Sequence, residues 1–88
     1  MKKPSPGDVA MDLQRCYEVN LSTNSFSNDS FNTFFRHALG DLKKTKGNLD
    51  TITLKNVQAC LSKVLDKNLE ITKRRDSLLT ASNLLLHS

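Results

Sequence analysis

The chain has 88 residues, 38% hydrophobic side chains, two cysteines and a net charge of +4. A chain this short makes one domain that buries only about 60–65% of its unfolded surface, so it is marginal as a monomer and gains from dimerising. No run approaches the ~18 apolar residues of a membrane span, and the opening MKKPSPG lacks the apolar stretch of a secretory signal, so a reduced, cytoplasmic setting is expected.

Residues 1–7, with two prolines and a glycine, read as a disordered leader, and residues 8–88 as a single helical domain. A first helix is predicted from Asp8 to Val19, with Val9, Leu13, Cys16 and Tyr17 on one face. NLSTNSFSND comes next as a loop, because Ser, Thr and Asn bond their own backbone in competition with regular structure. Phe26 is its apolar anchor, and Ser27 or Asn28 is placed to cap the next helix. The sequons at Asn20 and Asn28 carry no meaning in a cytoplasmic chain.

A second helix is predicted over Asp29 to Lys44. Phe31, Phe34, Phe35, Ala38 and Leu42 recur at helical spacing, and Leu39 widens the stripe. Phe31, Phe34, Phe35 and Leu42 are expected to form one cluster with Leu61 and Val64, between the second and third helices. Lys43, Lys44 and Lys46 suit the negative helix end, and Gly47 fits a left-handed C′ position. Asp50, Thr51 or Thr53 then caps the last helix.

From Thr53 to His87 there is neither glycine nor proline. Leu54, Val57, Leu61, Val64, Asn68, Ile71, Arg75, Leu78, Ser82 and Leu85 alternate at steps of three and four, a coiled-coil heptad seam that Leu65, Leu79 and Leu86 broaden. One continuous helix of this length would run roughly 50 Å at about 1.5 Å per residue. A break at Arg75–Ser77, with Asp76 or Ser77 capping a short fourth helix, is the alternative. The expected fold is therefore all-α, three helices with a long C-terminal one, paired into a helical-bundle dimer. Asn68, Ile71, Arg75, Leu78, Leu79 and Leu85 are the candidate dimer or partner seam, with Asn68 and Arg75 as polar residues that fix its register.

Charge is unevenly spread. Residues 43–75 hold nine cations against Asp50, Asp66 and Glu70, a local +6. A solvated helix surface accounts for this, and phosphate or an acidic partner is the alternative. The knot LEITKRRDSLL concentrates it, yet on the heptad Lys73 faces water, Arg74 the seam's edge and Arg75 the seam itself. Lys63, Lys67, Lys73 and Arg74 are the candidate nucleic-acid contacts, and Glu70 is placed to pair with Arg74 one turn away.

No catalytic constellation, phosphate loop or metal-ligand spacing appears, and Cys60 reads as a small core residue. No enzyme activity and no cofactor are expected. Three stretches, YEVNL, HALGDLKKTKGNL and ITLKNVQACLSKVL, resemble the small enterobacterial biofilm and acid-resistance regulators of the YmgB/AriR and YcgZ type. The resemblance spans residues 13–85 and lies in pattern: a short aromatic-bearing helix, a polar loop, a helix closing on Gly-Asn-hydrophobic, and a long last helix. It implies a compact helical dimer in signalling or transcriptional control. The basic tail and the three-phenylalanine cluster depart from it, and no binding residue carries over.

The leading expectation is thus a non-enzymatic regulatory or adaptor protein that works through helix–helix contacts, with itself as a homodimer or with another helical protein. Alternatives are a nucleic-acid-binding regulator using residues 43–75, and a helical chaperone or subunit of a larger assembly such as a secretion apparatus.

Overall fold

A computed structural model describes residues 4–26 and 28–87. They form four helices and no strand: α1 (Pro6–Thr23), α2 (Asp29–Thr45), α3 (Thr51–Leu65) and α4 (Ile71–Leu86), with a short 3-10 turn at Lys46–Asn48. The all-α expectation holds, but there are four helices rather than three.

Helix α1 starts earlier than the sequence pattern predicts. Ser5 Oγ accepts the Asp8 N–H at 3.3 Å, and Asp8 Oδ2 accepts the Ser5 N–H at 2.8 Å. This reciprocal box, with Pro6 in the first helical position, carries the helix into the expected leader. Residues 1–3 lie outside the described residues. The helix ends on Asn24, whose φ of 54° is left-handed and whose N–H donates to the Asn20 carbonyl at 2.7 Å.

Asn28 caps α2 as expected, its Oδ1 accepting the Ser30 N–H at 2.8 Å. The other candidate cap, Ser27, lies outside the described residues. At the far end Gly47 has no positive φ. The chain closes α2 with the 3-10 turn instead, and the buried Thr45 hydroxyl donates to the Leu42 carbonyl at 3.2 Å. Asp50 takes the cap position of α3 without a side-chain hydrogen bond.

The predicted rod of roughly 50 Å is folded in two. The longest extent of the whole molecule is 32 Å. The break falls at 66–70, before the anticipated Arg75–Ser77. Asp66 Oδ1 accepts the Asn68 N–H at 2.9 Å, and the Asp66 carbonyl accepts from Leu69 at 3.2 Å. A short polar side chain that bonds the backbone two residues on competes with helix propagation. The apolar stripe resumes in α4, which folds back against α3.

In space α2 packs on α1, α1 on α4, and α4 on α3. Val9, Leu13 and Cys16 from α1 meet Leu78, Ala81 and Leu85 from α4 in one core with Val57, Leu61 and Val64 of α3. Small residues bring α1 and α4 close: the buried Ser82 hydroxyl donates to the Ala10 carbonyl at 3.1 Å. Phe31 and Phe35 are buried and stacked at 5.6 Å, and Phe26 meets Phe31 edge-on at 5.2 Å. The aromatic cluster therefore lies against α1, where Cys16 Sγ approaches the Phe31 carbonyl at 3.8 Å, rather than between the second and third helices. Phe34 is only half-buried, with the Arg15 guanidinium 5.8 Å from its ring centre.

Phe31→Ala should cost about 3–5 kcal/mol of unfolding free energy, as for a fully buried ring. Phe34→Ala should cost clearly less, by at least about 1 kcal/mol, since part of its ring already meets water. Paired urea titrations measure both, and equal losses would place α2 in the wrong rotation.

Candidate functional site

The arginines of the basic knot turn inward on the chain itself. Arg75 Nε donates to Asn20 Oδ1 at 2.6 Å and its terminal nitrogen to Asn24 Oδ1 at 2.8 Å. Asn20 is fully buried, and its Nδ2 donates to the Ser25 carbonyl at 3.0 Å. Arg74 Nε donates to the Val64 carbonyl at 2.7 Å, satisfying an open carbonyl at the end of α3, and its guanidinium lies 4.0 Å from the centre of the Phe26 ring. Both side chains are half-buried. The expected Glu70–Arg74 pair is replaced by these contacts.

This placement redistributes the candidate residues. Asn68 is exposed in the 66–70 turn, outside α3 and α4. Leu78 and Leu85 are buried in the chain's own core, while Ile71, Leu79 and Leu86 remain on the surface. Arg75 clamps α1. Lys63, Lys67 and Lys73 are exposed around the α3–α4 turn, interspersed with exposed Asp66 and Glu70, and Arg74 is engaged elsewhere. A phosphate contact there would rest on three lysines beside two carboxylates.

The structure also assembles something the sequence pattern left unassigned. Helices α2 and α3 are the outer pair and touch each other little. Between them runs a groove of about 390 Å³ whose floor is Leu39, Leu42, Leu54, Leu61 and Leu65, with Lys43, Gln58 and Ser62 at its margins. Leu42 and Leu61 lie at its base, and Leu65 stands 58% exposed at one end. The sequence pattern puts Leu42, Leu54 and Leu61 in the apolar stripes themselves, with Leu39 and Leu65 widening them. That they face one another across open space depends on how the helices splay.

Burial shifts three titratable groups, Asp12, Cys16 and Cys60. Burial pushes the Cys16 thiol up to about 12, with the Asp12 charge adding to it. Burial also raises the thiol of half-buried Cys60, against the opposing charge of Lys63. Asp12 is raised by burial and then by Asp41, while Arg15, 3.3 Å away, and His37 pull it down. Among the described residues, no group of three or more His, Cys, Asp or Glu is placed to hold a metal ion, and no helix is long and apolar enough to cross a membrane.

Set against protein-family models, curated proteins and solved structures, the chain gives no match.

This geometry has two measurable outcomes. Arg75→Leu should destabilise by about 1–3 kcal/mol, because it strips the donor from a buried amide oxygen, whereas Asn68→Leu in the exposed turn should stay within about 0.5 kcal/mol. Thermal or urea melts of both variants test this. The second concerns pH. The folded thiol of Cys16 holds its proton up to about 12, while the unfolded one ionises near 9.0. The native state then binds the extra proton, so this contribution is full below that ordinary value and is lost as pH rises toward the folded one. Cys16→Ala should flatten that part of the alkaline decline in urea-derived stability; an unchanged slope would contradict it.

Proposed function

We propose that this chain is a small non-enzymatic regulatory or adaptor protein that works through helix–helix contacts with other proteins in a reducing, cytoplasmic setting. The observation that carries this reading is the leucine-floored groove between α2 and α3. A core-like surface left open between two helices is the kind of groove in which an apolar helix face docks. Leu65, Ile52 and Leu86 stand close to half exposed or more on the same small molecule. The resemblance to the YmgB/AriR-type regulators points the same way, toward a helical protein acting in signalling or transcriptional control.

Self-association enters the proposal in a reduced form. Leu78 and Leu85 serve the chain's own core, so a homodimer through α4 would rest on Ile71, Leu79 and Leu86. The nucleic-acid reading is weaker, because both arginines of the knot are engaged within the fold.

A photo-crosslinking residue introduced at Gln58, on the groove margin, and at Ser22, exposed on α1, tests the proposal in cells. The expected outcome is a discrete protein adduct at position 58 and none at 22. Equal yields at both positions would remove the groove as the working surface. A DNA-binding slope of about three against log salt, matching Lys63, Lys67 and Lys73, would replace this reading with the nucleic-acid one.

A further inference from the structure

We propose that the occupant of the α2/α3 groove is an amphipathic helix of a partner protein, about three turns long, with an apolar stripe flanked by aspartate and glutamate. This rests on the adaptor reading and adds the chemistry of the partner.

Length and shape argue for a helix. The groove runs along α3 from Leu54 to Leu65, about 16 Å at roughly 1.5 Å per residue, which is three helical turns. It is open, and its polar lining residues, Lys43, Gln58 and Ser62, are all exposed, unlike the buried polar groups that orient a small ligand. An added β-strand would need a sheet edge and a polyproline segment an aromatic-lined groove; the described residues form no strand, and the groove is lined by no aromatic ring.

Charge argues for acidic flanks. Lys43 lines the groove on the α2 side, and exposed Arg36 lies two turns earlier on the same flank. On the α3 side, exposed Lys55 lies two turns before Ser62. Among the described residues, no carboxylate lines the groove. Asp50 and Asp66 stand only at the two ends of α3, and the Asp66 carboxylate already accepts the Asn68 N–H. A partner helix whose leucines fill the groove thus meets Lys43 in its lining, with Arg36 and Lys55 exposed nearby on α2 and α3. A second copy of this chain is a poor occupant. Each copy carries +4, so two copies repel one another.

The test uses two synthetic peptides of about 15 residues with the same leucine stripe, one flanked by glutamate and one by lysine. Their binding to the full chain is read by fluorescence anisotropy. The glutamate peptide should bind about tenfold more tightly, and the difference should shrink in high salt. Leu65→Glu should abolish binding while leaving the helical melt unchanged, because that side chain is 58% exposed. The double variant Lys43→Glu, Lys55→Glu should reverse the preference, again with an unchanged melt. Equal affinity for both peptides, no binding of either, or a preference that the double variant leaves in place would overturn the proposal. So would a dimer in sedimentation that Leu65→Glu dissolves, which would make a second copy the occupant. A protein adduct at position 58 together with equal peptide affinities would retain the adaptor reading and reject the acidic partner. Absence of that adduct would reject the adaptor reading itself.

Discussion

The fold turns on one buried amide. Asn20, fully buried near the end of α1, is held by Arg75 on its oxygen and by the Ser25 carbonyl on its nitrogen. The same arginine reaches Asn24, the left-handed residue that ends α1. Its neighbour Arg74 reaches the last turn of α3 and the ring of Phe26. Two consecutive side chains near the start of α4 therefore tie down the ends of two other helices and the loop before α2. A hydrogen bond to a charged group contributes more than a neutral one, and a buried amide left without partners is costly. Partner satisfaction is general in the described residues, where no buried side-chain nitrogen or oxygen lacks a hydrogen bond.

This geometry changes what a polar residue in an apolar stripe means. On a heptad, Arg75 falls at a seam position, and seam arginines are ordinarily read as register devices between chains. Here the register being set is internal. Once the helix breaks at 66–70, α1 and α3 of the same chain cover Leu78, Ser82 and Leu85 of the stripe on α4.

Much of the helix content was legible in the residues. The faces of α1 and α2, the cap at Asn28 and the boundaries of α2 come from local spacing and side-chain chemistry. The number of helices was not, because Leu54 to Leu85 keeps the same three-four rhythm on both sides of the turn. Periodicity reports which side of a helix is apolar and is blind to whether the axis has reversed. The decisive local signal was Asp66 two residues before Asn68, a weak preference that tertiary packing brings out. The groove was less legible still. Leu39 and Leu65 read as the edges of core stripes and Leu54 as part of a seam, and only the spatial order of the helices leaves them facing open space. The Arg75–Asn20 contact joins residues 55 apart, which no local pattern reaches.

The spatial order of the helices bears on how the chain finds this structure. The first and last helices are the central pair, and the hydrogen bond from Ser82 to Ala10 spans 72 positions. On a ribosome, α1 and α2 would emerge long before α4 exists to cover the apolar face of α1. Contacts this distant in sequence slow folding, because the intervening loop must close before they form. Until then, the part of α1 that packs on α4, Ala10 included, remains open to any other apolar surface nearby. At about 5–20 residues per second that interval lasts on the order of seconds, and it closes only when α4 arrives.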